Sequence, residues 1–288
     1  MFELRLEKVS KTYGNKKVVD EIDCVLSHGV YGLLGANGAG KTTLLRMVCG
    51  ILEATEGKIL CQGMEIRKMG AEYRRLLGYL PQNFGYYPEF TAKKFLLYLA
   101  ALKAIPKKEA ADKVEELLRL VELDEVKDKK IKTFSGGMVR RLGIAQALLG
   151  DAEILLLDEP TAGLDPKERI RFRNIISALS KDKIIILSTH IVSDVEYIAD
   201  KILLMKEGRL LFTGDIEQML AKVRGKVWEC CVRPEETEEY QARFSVSNLR
   251  NTEQGVKLRI VSDACPLPDA SPADPDLEDV YLYYFREQ

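Results

Sequence analysis

Long hydrophobic runs are missing from this 288-residue chain. Apolar runs such as Ile154–Leu157 and Ile184–Leu187 have the length of buried β-strands, and none approaches the roughly 20 residues that a membrane-spanning helix needs. The sequence therefore predicts no transmembrane segment. Residues 1–5 contain no basic leader followed by an apolar stretch, so we expect no secretion signal.

Histidine is scarce, with two residues in the chain, and the six cysteines form no Cys-X-X-Cys pair. Zinc sites draw their ligands from such residues at close spacing, so the sequence predicts no zinc site. His28 matches no motif, and we expect it on the surface. We expect reduced cytosolic thiols at the cysteines, which are Cys24, Cys49, Cys61, Cys230, Cys231 and Cys265.

The chain has no large excess of one charge, because it contains 43 Lys and Arg residues and 44 Asp and Glu residues. A general nucleic-acid-binding protein carries a basic face, so we expect no nucleic-acid partner. A composition of 46% hydrophobic and 30% charged residues is typical of a globular protein. The length predicts about two domains.

Short aliphatic runs alternate with helical stretches over residues 2 to about 215, which predicts an α/β fold with a parallel sheet. We expect an antiparallel β-region at its edge, in residues 2–28, and an inserted helical block at about 91–148 that begins at Thr91 as an N-cap. A hairpin is predicted at 201–212.

The pattern changes after about residue 222. Residues 227–232 and 256–261 alternate as strands, four prolines then fall within residues 266–275, and a short apolar element follows at 280–285. We therefore expect a domain at 1–221 and a small C-terminal α+β accessory region at 222–288.

A glycine-rich stretch, Gly35-Ala36-Asn37-Gly38-Ala39-Gly40-Lys41-Thr42, follows the predicted strand 30–34 and precedes a predicted helix. This is the GxxxxGK[ST] pattern, in which backbone N–H groups and the helix N-terminus bind a phosphate chain. Lys41 is predicted to reach the β- and γ-phosphates, Thr42 to hold Mg²⁺ and Thr43 to contact the α-phosphate. The motif indicates a phosphate-loop NTPase core.

Two carboxylates, Asp158 and Glu159, end the predicted buried strand 154–157. In phosphate-loop enzymes the acid at such a strand end holds Mg²⁺, which we predict for Asp158. Glu159 lies one residue further, where a general base could take a proton from the attacking water.

A second candidate phosphate-binding motif, Ser135-Gly136-Gly137, directly precedes a predicted helix. The order and spacing of the phosphate loop, this motif and Asp158-Glu159 resemble those of the nucleotide-binding subunit of ATP-binding cassette (ABC) transporters. The resemblance covers residues 2 to about 220. It implies ATP and Mg²⁺ as cofactors, and a homodimer or heterodimer of ATPase subunits.

The resemblance also implies roles for four further residues. Tyr13 matches the aromatic residue that stacks on adenine, and Gln82 matches the glutamine that touches Mg²⁺ and the attacking water. Asp165 lies in the loop that crosses the dimer interface, and His190 matches the histidine that contacts the γ-phosphate. ATP on one subunit would then be covered by Ser135–Gly137 of the other subunit.

The motif departs from the family's usual Leu-Ser-Gly-Gly-Gln, because Phe134 and Met138 take the outer positions. Met138, followed by Arg140-Arg141-Leu142, resembles a bacterial branch of ABC-2-type exporters whose membrane subunit is a separate chain. This implies a peripheral subunit at the cytoplasmic face of the membrane, bound to a polytopic permease. The segment 277–282 is similar to a C-terminal ending found in the family.

A soluble ABC-type ATPase that acts on DNA or ribosomes is the alternative. The DNA-repair type needs a long coiled coil between the two phosphate-binding motifs, and only about 90 residues separate Thr43 from Ser135. The ribosome type usually has two cassettes in one chain, whereas this chain has one. We therefore favour the transporter subunit.

Overall fold

The computed structural model describes residues 2–150, 152–253 and 255–285. The chain divides into two compact units, Met1–Thr213 and Gly214–Gln288. This division lies eight residues before the boundary expected at 221, because the helix at 216–221 packs against the last helix of the chain. Among the described residues, no helix is both long and apolar enough to span a membrane.

The first unit alternates strands and helices in chain order. Its elements are β1 (Leu4–Tyr13), β2 (Lys16–Leu26), β3 (Gly29–Leu34), α1 (Lys41–Val48), β4 (Glu56–Cys61), β5 (Met64–Glu65), α2 (Ile66–Met69), α3 (Ala71–Arg75), β6 (Leu77–Leu80), α4 (Ala92–Leu102), α5 (Lys107–Leu120), α6 (Gly136–Ala147), β7 (Ile154–Asp158), α7 (Pro166–Leu179), β8 (Ile184–Thr189), α8 (Val192–Glu196), β9 (Lys201–Lys206) and β10 (Arg209–Gly214). The second unit contains α9 (Ile216–Ala221), β11 (Val227–Val232), α10 (Thr237–Arg243), β12 (Ser245–Thr252), β13 (Gly255–Val261), β14 (Ser271–Pro272) and α11 (Leu277–Phe285).

The central sheet has the strand order β10-β9-β3-β8-β7-β6. The pairs from β9 through β3, β8 and β7 to β6 are parallel. Every residue of β7 and β8 is buried, as is usual where both faces of a parallel sheet are covered. The predicted parallel sheet is confirmed, and it brings the carboxyl ends of β3, β7 and β8 to one edge.

A second sheet, of strand order β2-β1-β4-β5, is antiparallel and lies beside the central sheet. Its apolar residues share one buried cluster with α1 and with one face of β3, β7 and β8. The antiparallel β-region predicted for residues 2–28 is therefore confirmed. Within the cluster, α1 is held between the two sheets, which orients the phosphate loop at its N-terminus.

The helices α4, α5 and α6 pack on one another as the predicted helical block. Thr91 caps α4, because its Oγ1 accepts a hydrogen bond of 3.1 Å from the backbone N–H of Lys94. One face of α5 is buried, as its amphipathic pattern predicts. The predicted His28 position is also confirmed, since its exposed ring stacks on Phe2.

The second unit is an antiparallel sheet of order β12-β13-β11-β14 with α10 and α11. Asp279 of α11 is fully buried at its centre. Its Oδ2 accepts a hydrogen bond of 2.7 Å from Arg259 Nη2 and one of 3.0 Å from the backbone N–H of Asp276, and its Oδ1 accepts one of 2.6 Å from Ser247 Oγ. This carboxylate therefore fastens α11 to β12 and β13.

We expect Asp279→Asn to destabilise the second unit by about 3 kcal/mol, because it leaves Arg259 without its buried partner. Trp228 in β11 is the single tryptophan of the chain, so its fluorescence during urea unfolding reports on this unit. Asp269→Asn changes an exposed carboxylate and is the control. Equal urea midpoints for the two variants would refute the assigned role of Asp279.

Acid should unfold the same unit. Burial by itself raises the pKa of Asp279, but hydrogen bonds from Arg259, Ser247 and Asp276 outweigh it and hold the pKa below its usual value of 3.8. A carboxylate with a lowered folded-state pKa stabilises the protein above its unfolded-state pKa and loses that contribution as the pH falls. We expect the Trp228 signal to show acid unfolding at a higher pH in Asp279→Asn than in the wild type.

Candidate active site

The phosphate loop, residues 35–42, joins β3 to α1 in a conformation that requires glycine. Gly38 and Gly40 have φ angles of +83° and +104°. A Cβ atom on Gly40 would lie 2.6 Å from the carbonyl oxygen of Val18, whereas one on Gly38 would meet nothing within 4 Å. Gly40 is therefore constrained by packing, while Gly38 is at the open side of the loop where backbone groups can face an anion.

Lys41 begins α1 and is 6% exposed. Its ammonium donates hydrogen bonds of 2.7 Å to the carbonyl of Gly35 and 3.1 Å to the carbonyl of Ala36. Its Nζ also lies 3.7 Å from Glu159 Oε1. Burial lowers the pKa of Lys41, and the charges of Glu159 and Asp158 oppose that effect. A cation thus sits against the loop and beside two carboxylates.

Asp158 has one satisfied oxygen and one without a protein partner. Its Oδ1 accepts hydrogen bonds of 3.2 Å from Thr42 Oγ1 and 2.6 Å from Ser188 Oγ. Its Oδ2 is buried and has no hydrogen-bond partner among the described residues. Buried polar atoms normally have a hydrogen-bond partner. A hard cation bound at Oδ2 would provide the missing contact.

The donor set fits Mg²⁺, because Asp158 and Thr42 place a carboxylate and a hydroxyl oxygen together. Among the described residues, no group of three or more His, Cys, Asp or Glu side chains could hold a metal by itself. Mg²⁺ commonly takes one or two protein ligands and completes its shell with phosphate oxygens and water. The site is therefore suited to a metal that arrives with a phosphate ligand.

Glu159 is held in a strained position between β7 and the loop after β8. Its φ is +49°, which is rare for a residue other than glycine and is typical of functional sites. Its N–H lies 3.1 Å from both the carbonyl oxygen and the Oγ of Ser188. Its Oε2 is 2.9 Å from Nδ1 of His190, whose side chain is 43% exposed. Glu159 is itself buried, and its carboxylate lies between Lys41 and His190.

Ser135, Gly136 and Gly137 lie at the N-terminus of α6. Ser135 caps this helix by accepting a hydrogen bond of 3.2 Å from the backbone N–H of Met138. Ser135 and Gly136 are exposed. The N-terminus of α6 therefore presents Ser135 and Gly136 at the surface of the chain.

Three other predicted residues have exposed side chains. Tyr13 is half-exposed at the tip of the β1–β2 hairpin. Asp165 is exposed and caps α7, accepting a hydrogen bond of 2.8 Å from the backbone N–H of Glu168. Gln82 is exposed beyond β6, and its carbonyl accepts a hydrogen bond of 2.8 Å from Arg140 Nη1. The structure thus joins Lys41, Thr42, Asp158, Glu159 and His190 through direct contacts, and the phosphate-loop carbonyls of Gly35 and Ala36 contact Lys41.

Ser188 contacts both Asp158 and the backbone of Glu159, and no sequence motif predicted a role for it. The available signal was that β8 ends in Ser188-Thr189 with hydroxyl groups. In the register of the sheet, Asp158 pairs directly with Ser188. That register is a tertiary property, so the sequence alone did not show which hydroxyl would meet the carboxylate.

Comparison with known proteins agrees with this geometry. A family model described as "ABC transporter" matches residues 19–162, which is half of the chain. The chain belongs to the ABC transporter family. It is 36% identical to the ABC transporter ATP-binding protein YxlF of Bacillus subtilis over 231 residues, which cover 80% of this chain and 77% of that protein. The Nod factor export ATP-binding protein I of Paraburkholderia xenovorans is 35% identical over 224 residues, covering 77% and 74% of the two chains.

A solved structure of the same family has a similar fold. CbiO1 from Clostridium perfringens, part of the ABC transporter complex cbiONQ, has a TM-score of 0.69 at 28% identity and covers 76% of this chain and 90% of its own. This ABC protein is the ATP-hydrolysing subunit of a transporter. A soluble ATPase acting on DNA or ribosomes is not favoured by these relatives.

We expect Lys41→Ala to weaken ATP binding about 10- to 100-fold, because the variant removes charge-assisted hydrogen bonds to phosphate. Titration calorimetry with the full chain measures this. Lys181→Ala, which removes an exposed lysine before β8, is the matched control. ATP affinity equal to that of the control would show that Lys41 does not face the nucleotide.

Proposed function

We propose that this ATPase subunit binds its nucleotide in a composite site. Each ATP lies between the phosphate loop of one subunit and Ser135–Gly137 of a second subunit, and two ATP molecules join the dimer. The observation that carries the proposal is that one chain has two phosphate-binding motifs about 90 residues apart in sequence, and that Ser135 and Gly136 of the second motif are exposed. The exposed N-terminus of α6 offers backbone N–H groups, a hydroxyl and a favourable dipole to an anion outside its own chain.

The phosphate-loop side holds most of the nucleotide in this proposal. Backbone N–H groups of residues 36–41 surround the β-phosphate, Lys41 reaches the β- and γ-phosphates, and Thr43 contacts the α-phosphate. Tyr13 stacks on adenine. Thr42 and Asp158, with Gln82, hold Mg²⁺, which neutralises charge on the phosphates when bound.

Glu159 acts as the general base. A water molecule at its carboxylate attacks the γ-phosphorus, the bond to the ADP oxygen breaks, and the water proton passes to Glu159. The backbone contacts to Ser188 fix the position of the carboxylate. His190 Nδ1 lies 2.9 Å from Glu159 Oε2, and in this proposal the His190 side chain contacts the γ-phosphate. Asp165, on the loop before α7, contacts the second subunit.

The subunit drives export through a separate polytopic permease at the cytoplasmic face of the membrane. An aromatic surface supports this part of the proposal. The Tyr87 ring is tilted against Phe90 and edge-on to Tyr98. The side chains of Tyr86, Tyr87 and Tyr98 remain 37%, 48% and 39% exposed. Exposed aromatic groups of this kind are typical of protein interfaces. The first of these residues, Tyr86, follows Gln82 by four positions in the chain, so we place the permease contact beside the segment that carries Gln82.

We expect Glu159→Gln to retain ATP binding and to lower hydrolysis at least 100-fold, because the amide cannot accept the water proton. Gel filtration with ATP and Mg²⁺ should then show an accumulated dimer. Glu196→Gln, at an exposed carboxylate of α8, is the control and should hydrolyse ATP at the wild-type rate. Near-wild-type turnover by Glu159→Gln would exclude it as the base.

We expect Ser135→Arg to leave ATP binding to the monomer intact and to block both dimerisation and hydrolysis. Each active site would need Lys41 from one subunit and Ser135 from the other. A mixture of Ser135→Arg and Lys41→Ala subunits should therefore regain partial hydrolysis, because one of the two sites in a mixed dimer carries neither change. Full activity of Ser135→Arg alone would refute the composite site.

A further inference from the structure

Arg141, in the second turn of α6, is an almost fully buried arginine that contacts two other helices. Its Nη1 donates hydrogen bonds of 2.7 Å to the carbonyl oxygens of Val121 and Glu122, at the end of α5. Its Nε donates a hydrogen bond of 3.1 Å to Glu168 Oε2, in the first turn of α7. One guanidinium therefore fixes α6 to the helices before and after it.

Glu168 lies directly against the Ser-Gly-Gly motif. A Cβ atom on Gly137 would lie 2.5 Å from Glu168 Oε2, so a larger residue there would displace the carboxylate that Arg141 holds. The backbone N–H of the same glutamate is bound by Asp165. The N-termini of α6 and α7 are thus joined through a single side chain.

We propose that Arg141 is a positioning residue, which holds Ser135–Gly137 and Asp165 in one arrangement so that they meet the ATP of a second subunit together. The inference rests on the composite site proposed above. It assigns a role to Arg141, which contacts neither nucleotide nor metal in that proposal.

The chemistry of the contacts favours positioning over simple stabilisation. Replacing a buried ion pair with well-packed apolar groups is often neutral or stabilising, so stability alone does not account for a buried arginine at this place. A guanidinium directs hydrogen bonds along fixed, planar directions, whereas the ammonium of lysine is a point charge that cannot reproduce them. Arg141 uses two of these directions toward separate helices.

The first test measures ATP binding and turnover separately in full-length variants. We expect Arg141→Met to bind ATP within twofold of the wild type and to hydrolyse it at least 30-fold more slowly. The hydrolysis rate of Arg141→Lys should lie between those of the wild type and Arg141→Met. Arg171→Met is the matched control, because Arg171 contacts the other oxygen of Glu168 at 2.9 Å from a more exposed position. We expect it to stay within threefold of wild-type turnover.

A second test determines whether the loss of hydrolysis in Arg141→Met comes from the Ser135–Gly137 motif that a subunit presents to its partner. Arg141→Met would damage only the motif that a subunit presents to its partner, so mixing it with Lys41→Ala subunits should restore partial hydrolysis. The Ser135→Arg and Lys41→Ala mixture is the reference. If the reference recovers and the Arg141→Met mixture does not, the positioning role is wrong and the composite site stands. If neither recovers, the composite site itself fails and the inference fails with it.

A third variant separates positioning from folding. Arg141→Met leaves Glu168 with one fewer partner, and Arg141→Met/Glu168→Leu removes that carboxylate. We expect the double variant to regain thermal stability, measured by circular dichroism, while its hydrolysis stays at least 30-fold below the wild type. Recovery of hydrolysis together with stability would show that Arg141 serves folding alone.

Discussion

The parallel alignment of β3, β7 and β8 is the constraint on which the active site depends. It brings their carboxyl ends to one edge, where the Asp158 carboxylate accepts hydrogen bonds from Thr42 at the start of α1 and from Ser188 of β8. Because all of β7 is buried, Asp158 cannot turn to solvent. Burying one carboxylate oxygen without a partner is costly, and the proposed Mg²⁺ would offset that cost.

The strain at Glu159 follows from the same alignment. β7 ends at Asp158, and the next residue takes a positive φ so that its N–H reaches Ser188. Its carboxylate then lies between Lys41 and His190, which come from α1 and from the loop after β8. The proposed base and metal ligand lie next to each other at the end of β7, while the proposed phosphate-binding lysine comes from α1.

The helical block and the second unit each contain an arginine paired with a carboxylate in the interior. Arg141 and Glu168 join the helices that carry the Ser-Gly-Gly motif and Asp165. Asp279 and Arg259 fasten the last helix to its sheet. In both places the residue types alone suggest surface charge, and the burial becomes visible when the helices are packed.

The amino-acid sequence was sufficient to predict the phosphate loop, the strand that ends in Asp158 and Glu159, and the helix starts at Thr91 and Ser135. These features are local, since they depend on glycine φ angles, apolar runs and capping side chains. It also indicated the family, through the order of motifs that are far apart in the chain. Two contacts became visible in the folded chain, namely Ser188 with Asp158 and the buried Arg141 with Glu168. Each of these depends on strand register or helix packing between residues distant in sequence, and local propensity carries no information about such contacts.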